Sequence, residues 1–480
     1  MMAGKGSLAC RVHYKRLHAD TSLDALTEVV AAKQFPAILG GNPAKANEDG
    51  FSYWAAEPRE VFEFTAEKGD PFSHLQRTLN KYTLNGVCPS MLPAGMFCGG
   101  WIGYFAYELG RYIERLPGKA VDDLGMPLIR LGFYDRVIAC DHRSDVFWIV
   151  AMEMPGDSET PQEKIASLQP WLEQSQKIEP TEASEASIED IDLAGIRRNM
   201  TRERYLAAIR KIKRYIRDGD VYQVNFSHRF EQPFRDRPLE LFHWQNRCNP
   251  SGYAAYLDAG GFQIVSASPE MFITIHDGLI RTKPIKGTRP RSGAGDPDAR
   301  QLDAGRFNDL LTSAKEQAEL NMIIDLERND VARICRPGTR RVIQPRTIEA
   351  CPTVYHAVAT IGGELRDDVG FIDVLRAMFP GGSVTGAPKI RAMEIIDELE
   401  PTARGVYTGS IGFIGLDGTV CLNIAIRTAI ITGGSAFVQT GGGIVADSDP
   451  QAEWDETITK ARALLAGIEA VKTGCAVRRR

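Results

Sequence analysis

The chain has 480 residues, 43% of them hydrophobic and 25% charged, with a net charge of −5. That is an ordinary globular balance with material for a large core. The acidic total, with no basic stripe interleaved with aromatics, excludes a nucleic-acid-binding protein, and no apolar run approaches the roughly 18 residues needed to cross a membrane. Nine cysteines, with no Cys-x-x-Cys pair and no secretory leader, predict reduced thiols in a cytoplasmic protein.

In chain order, residues 1–154 mix short β-rich runs with glycine turns. Residues 61–64 and 146–150 read as strands. Residues 72–84 carry apolar positions near helical spacing. Residues 99–116 begin as a packed strand and end as a helix, their aromatic cluster reading as core. Residues 155–191 turn acidic and rich in Ser, Gln and Pro, which predicts a linker with one helix around 163–176.

The second unit, 192–470, opens with an amphipathic helix on Tyr205, Ile209, Ile212 and Ile216, stopped by Gly219. Residues 221–230 alternate as a strand whose uncharged polar face, Gln223, Asn225 and Ser227, is either solvated or lines a cleft. Residues 307–326 read as one long helix. Residues 407–414, 420–431 and 436–439 read as strands of an antiparallel meander, turned at Asp417-Gly418 and Gly433-Gly434. Asp449-Pro450 starts a last helix with a capping Asp and Pro at its first position.

Residues 282–291 suit neither a helix nor a central strand, because Pro284 and Pro290 fix φ and remove two donors. Between them Lys286 follows Ile285 and precedes Gly287. An ammonium in a dry setting loses hydration, its pKa falls, and free amine becomes available as a nucleophile; the alternative is a solvated basic loop. Two helices each carry Glu-x-x-Glu on one face, Glu316 with Glu319 and Glu453 with Glu456. Separately they read as solvated faces, and brought together they would bind a hard cation, magnesium above all, through oxygen. Glu270 ends an apolar run where its carboxyl is expected to keep a proton and act as an acid. Alternation in 420–431 places Asn423 and Arg427 on one face; such an arginine needs an anion, either a substrate carboxylate or a salt bridge. Gly441-Gly442-Gly443 reads as a turn able to present N–H groups to an anion. Residues 382–389 lack phosphate-loop spacing, which excludes nucleotide binding there.

Four motifs occur in one order: Pro-Ile-Lys-Gly-Thr-Arg-Pro-Arg (284–291), Asp-Leu-Glu-Arg-Asn-Asp (325–330), Gly-Ala-Pro-Lys-Ile-Arg-Ala-Met (386–393) and Gly-Gly-Gly-Ile-Val-Ala-Asp-Ser (441–448). Together they closely resemble the chorismate-binding enzymes, which include anthranilate synthase component I, aminodeoxychorismate synthase component I and the isochorismate and salicylate synthases. The likeness is strong over 201–465 and looser before residue 154. It implies an α+β fold of two large, mostly antiparallel sheets packed face to face with helices outside, residues 1–154 joining the body of a catalytic domain at 192–470.

The resemblance also implies roles. Glu319 and Glu456 would hold magnesium, with Glu316 and Glu453 supporting through water. Arg427 and Tyr407 would hold the enolpyruvyl carboxylate of chorismate, and Gly441 and Gly443 would offer backbone donors. Gly287, Thr288, His356 and Lys460 fall at substrate-binding positions, while Lys286 would be the nucleophile and Glu270 the acid. Anthranilate synthases typically read Pro-Ile-Ala-Gly-Thr where this chain has Lys286, and the isochorismate branch places a lysine base near Gln223. Both differences point to the aminodeoxychorismate branch, with anthranilate synthase or a non-catalytic chorismate-binding paralogue as the alternatives. No cysteine has the Gly-x-Cys-x-Gly context of a glutaminase, so ammonia is expected from a separate glutamine amidotransferase subunit.

Overall fold

A computed structural model describes residues 7–42, 50–66, 69–86, 88–178, 195–292, 299–351 and 354–474. Two sheets dominate it, one of 13 strands and one of 10. They are antiparallel apart from the pairing of Leu8–Leu17 with Tyr82–Leu84. Residues from both halves of the chain build each sheet. In the larger, Ala37–Leu39 pairs with Tyr253–Asp258; in the smaller, Gly100–Phe105 pairs with Ser410–Gly415.

The main core lies between the sheets. Strand alternation sends Tyr53, Val137 and Ala139 inward to meet Ile102, Phe133 and Phe413, with the Tyr53 and Phe413 rings 5.4 Å apart. The other face of the larger sheet, carrying Ile38, Trp54, Ile138 and Ile149, is covered by helices through Leu26, Leu168, Phe242 and Leu464. Both faces are dry, which is why a strand of this sheet such as Phe51–Ala55 is buried along its whole length. No helix among the described residues is long and apolar enough to cross a membrane.

Most sequence expectations hold: the strands at 61–64 and 146–150, the helix Arg202–Arg217 and the Asp449-capped helix Pro450–Lys472. Others change. The helical pattern at 72–84 is a helix only over Pro71–Leu79, and Tyr82–Leu84 joins the sheet. The long helix at 307–326 is two helices, Ala299–Thr312 and Ala314–Ala332, because Ser313 caps the second with its side chain. The apolar run 420–431 is not one strand. Val420–Asn423 belongs to the smaller sheet and Thr428–Thr432 to the larger, so the chain crosses between layers and the expected meander is two hairpins in two sheets.

The helix expected near 163–176 is Pro161–Ser175, and it packs on the larger sheet through Leu168 and Trp171. Residues 179–194 of that acidic stretch lie outside the described residues. Lys164, 1% exposed, donates to Asp135 at 2.7 Å, Asp157 at 2.6 Å and the Met152 carbonyl at 2.8 Å. Replacing it removes the one ammonium that both buried carboxylates share, leaving Asp135 with only Arg136 and Asp157 with only Arg59. Lys164→Met is expected to cost about 3–5 kcal/mol, read from the midpoint of urea unfolding; an unchanged midpoint would mean the helix carries no stability.

Candidate active site

Lys286 sits on the strand Ile285–Pro290, at one edge of the smaller sheet, as the prolines require. Ile285 pairs with Val358 and Thr288 with His356, so one extra residue is fitted in and the ladder bulges at Lys286-Gly287. Gly287 has φ +88°, and a Cβ there would stand 2.8 Å from Leu310 and 2.9 Å from the Glu316 carboxylate. Only glycine fits. The basic neighbours are paired: Lys283 with Glu349 at 2.7 Å, Arg289 with Asp309 at 2.6 Å, and Arg291 with Asp303 at 3.7 Å. Lys286 has no carboxylate at ion-pair distance among the described residues; its Nζ donates to the Ser383 carbonyl at 3.0 Å. Burial pulls its pKa down, against the opposing pull of Glu270 and Glu319.

Glu270 and Arg427 occupy equivalent places. Each stands where the chain passes from one sheet to the other, Glu270 between Gln263–Ser268 and Met271–His276, Arg427 between Val420–Asn423 and Thr428–Thr432. The crossings are stitched together. The Ile424 N–H donates to the Glu270 carbonyl at 2.9 Å, the Ala267 N–H to the Arg427 carbonyl at 3.0 Å, and the Ser268 hydroxyl to the Ile424 carbonyl at 2.6 Å. Alternation fails here, so Asn423 and Arg427 do not share a strand face: Asn423 is spent on the Ile411 N–H and the Tyr253 carbonyl.

Glu270 is buried, and burial raises its pKa despite hydrogen bonding to Ser383 and the nearby Lys286 ammonium. Its Oε1 accepts from the Ile285 N–H at 3.4 Å, which puts the acid beside the lysine. Arg427 holds φ +49°, uncommon for a residue with a Cβ. Burial pulls its pKa down, and no carboxylate pairs with it among the described residues. A half-buried guanidinium without a carboxylate partner is able to receive an anion.

The triple glycine is not a turn. Gly441, Gly442 and Gly443 lie inside the strand Ser435–Ile444, opposite Ser227, Phe226 and Asn225. The N–H groups of Asn225 and Ser227 are spent away from this strand, on the Thr385 carbonyl at 2.8 Å and Glu400 at 2.9 Å. By antiparallel pairing, Gly441 and Gly443 therefore turn their own polar groups to the opposite edge. The strand Thr428–Thr432 covers that edge only as far as Val438, leaving it open beside Arg427. The Gly441 carbonyl there accepts from Lys460 at 3.0 Å. Gly443 abuts the Gln223 amide, whose two polar atoms are buried without a partner, and Gly442 abuts Glu453. The polar face at Gln223, Asn225 and Ser227 is thus dry wall, not solvated surface.

The two Glu-x-x-Glu pairs stand in each other's field. Glu319 is raised by burial, then by Glu316 and Glu453 against Lys286 and Lys315. Glu453 is raised by burial and by Glu456, against its hydrogen bond from Ser448. Glu456 is lowered: Lys460 at 2.6 Å, with Lys315 and Lys286, outweighs burial. Glu316 accepts from Arg289 at 3.2 Å. No three His, Cys, Asp or Glu side chains among the described residues gather closely enough to hold a metal ion. The oxygen-only donor set and the mutual repulsion are what a hard cation relieves, so the chemistry of these residues suits one, though their separation here does not yet form its shell.

Thr288 and His356 form a hydrogen bond of 2.9 Å beside the bulge. Tyr407 is buried, its ring 5.8 Å from the Arg404 guanidinium and its phenol held protonated by burial. Sequence reading missed Ser383, whose carbonyl holds Lys286 and whose side chain reaches Glu270. The signal was the Gly-Gly-Ser run, dismissed because it did not fit a phosphate loop.

Residues 41–466 match the family model described as chorismate binding enzyme. The chain belongs to the chorismate-binding enzyme family. It is 39% identical over 379 residues to aminodeoxychorismate synthase component 1 of Bacillus subtilis (strain 168), covering 78% of this chain and 77% of that one. It is also 39% identical over 402 residues to anthranilate synthase component 1 of Pseudomonas putida, covering 83% and 80%. Among solved structures, anthranilate synthase component I from Streptococcus pneumoniae TIGR4 superposes with a TM-score of 0.72 at 30% identity, over 88% of this chain and 93% of that one. The menaquinone-specific isochorismate synthase of Escherichia coli shares the fold alone, with a TM-score of 0.69 at 17% identity over 96% and 95%.

In this chorismate-binding enzyme the lowered pKa of Lys286 has a direct readout. At pH ~7, where an ordinary lysine is almost wholly charged, an amine-directed acylating reagent is expected to modify Lys286 several-fold faster than the exposed Lys15 and Lys177. Peptide mass spectrometry over a time course measures this, and equal rates would mean that Lys286 stays a charged ammonium.

Proposed function

We propose that this chorismate-binding enzyme replaces the 4-hydroxyl of chorismate with an amino group, giving 4-amino-4-deoxychorismate on the way to p-aminobenzoate and folate. This is the reaction named in the aminodeoxychorismate synthase relatives, and ammonia would come from a separate glutamine amidotransferase subunit. The observation that carries the reading is Lys286: a desolvated lysine without a carboxylate partner, on a bulge, beside the buried acid Glu270. Anthranilate synthases typically carry alanine there.

Chorismate is a dianion, and Arg427 with the open edge at Gly441 and Gly443 offers a cation and backbone donors for its enolpyruvyl carboxylate; Tyr407, Thr288, His356 and Lys460 complete the wall. Magnesium held by Glu319 and Glu456, with Glu316 and Glu453 through water, would supply positive charge for the ring carboxylate. The Lys286 amine forms a bond to ring C2, the two ring double bonds each shift one position, and the C4–O bond breaks. Glu270 gives its proton to the departing oxygen, which leaves as water, since hydroxide alone is a poor leaving group. Ammonia then bonds to C4, the double bonds shift back, and the C2–N bond breaks to release Lys286. Glu270 recovers its proton from the new ammonium group.

The test is to incubate the chain with chorismate, magnesium and ammonium at alkaline pH and identify the product. Aminodeoxychorismate is expected with ammonium and not with glutamine alone, and Lys286→Arg, which keeps charge but not nucleophilicity, should abolish it. Anthranilate as the product would assign the chain to the other branch instead.

Glu319→Gln and Glu456→Gln each remove a charge that a hard cation needs. Turnover is expected to fall roughly 100-fold in each, with a higher magnesium requirement. Full activity with unchanged magnesium dependence in both would place the metal elsewhere.

A further inference from the structure

Two of the four sequence motifs, 325–330 and 386–393, have no part in the chemistry above, yet they meet directly behind it. Glu327 is 2% exposed, on the helix Ala314–Ala332. Its Oε1 accepts the Gly382 N–H at 3.0 Å, and its Oε2 is buried with no hydrogen-bond partner. Gly382 is pressed so close that a Cβ there would lie 2.9 Å from Glu327 Oε1 and 2.7 Å from Leu326. One turn along the helix, Asp330 pairs with Lys389, which also donates to the Met378 carbonyl at 2.9 Å. The residue after Gly382 is Ser383, the one that holds both Lys286 and Glu270.

We propose that Glu327 is a positioning residue: by gripping Gly382 it fixes the Ser383 carbonyl at the point that aims the Lys286 amine. The turn Gly382–Val384 follows Pro380 and Gly381, and the Thr385 hydroxyl ties its far end to the Gly381 and Gly382 carbonyls. Those bonds lie within the loop, and Glu327 anchors the Gly382 N–H to a helix, which is a stiffer mount. The groups that act on Glu327 are Asp330 and Glu270, which oppose its ionisation, and Lys389, which favours it. Burial and Asp330 push its pKa up to about 7. It therefore carries a proton for part of the time near neutrality, and a glutamine is a fair mimic of that form.

This inference rests on Lys286 as the nucleophile, and its test does not depend on which aminated product is made. The full chain is compared with Glu327→Ala and Glu327→Gln, with ammonium as nitrogen source, by kcat, by KM for chorismate and by the rate at which an acylating reagent labels Lys286. Glu327→Ala is expected to lower kcat by about 10–100-fold, as small misplacements of a reacting group do, with KM within about twofold and altered Lys286 labelling. Glu327→Gln keeps an oxygen for the Gly382 N–H and is expected to restore kcat to within several-fold of wild type and to restore the labelling rate. If Glu327→Ala does not fold, Glu327→Asp takes its place, because the shorter side chain withdraws the oxygen from Gly382. Wild-type kcat and labelling in the alanine or aspartate variant would overturn the proposal, as would a glutamine variant as impaired as alanine. Anthranilate as product would instead overturn the functional reading and leave the labelling result standing.

Discussion

The site depends on one buried ion pair. Arg404, 2% exposed, gives Nε and Nη2 to the two oxygens of Glu400 at 2.9 and 2.8 Å. Nη2 also reaches the Asn225 carbonyl at 2.6 Å, and Nη1 the Val384 carbonyl at 3.0 Å and Thr408 at 3.2 Å. Glu400 in turn accepts the backbone N–H and hydroxyl of Ser227. The guanidinium lies 4.6 Å from the Tyr107 ring, and the Arg404 backbone N–H donates to Glu108 at 2.7 Å. Two ions taken from water are costly, and they persist because every donor is used. The polar strand face at 225–227, the turn beneath Lys286, the approach to Tyr407 and the amino-terminal region are all tied to this pair.

Where chemistry depends on local chain geometry, the sequence was informative. The prolines and glycine around Lys286 dictate an edge strand with a bulge, and Asp449-Pro450 dictates a helix start, because each device acts within a few residues. Where it depends on distant partners, the sequence was mute. Nothing in Ile424-Ala425-Ile426 announces that the chain leaves one sheet for another, since an apolar run is equally at home in either layer. Gly441-Gly442-Gly443 looks like a turn until the opposing strand Gln223–Pro233 is known to need room there. The polar face at Asn225 and Ser227 could be called wall rather than surface only with Glu400 and Arg404 in place, more than 170 residues away. In 155–191 the helix was legible, but the acidic composition concealed that it packs on the sheet through Leu168 and Trp171.

Electrostatically the site is a standoff. Glu270, Glu319 and Glu453 are each raised by burial, while Lys286 and Arg427 are each lowered by it. Few contacts join the two sets, so neither sign is quenched by the other. Such an arrangement is costly to the free protein and useful to it, since an anion answering the cations, together with a cation answering the carboxylates, completes pairs that the fold leaves open.

The two crossings between sheets also set what this scaffold can change. Glu270 and Arg427 each sit on a stitch joining the layers, so an insertion or deletion of one residue there would throw the following strand out of phase and turn its core side chains to the wrong face. Lys286 stands on the selvedge, at a bulge already excused from the ladder, where a different side chain disturbs no backbone pairing. Under the proposed reaction, acid and anion receptor are woven into the cloth while the nucleophile is sewn on at its border, where its side chain can be exchanged one residue at a time.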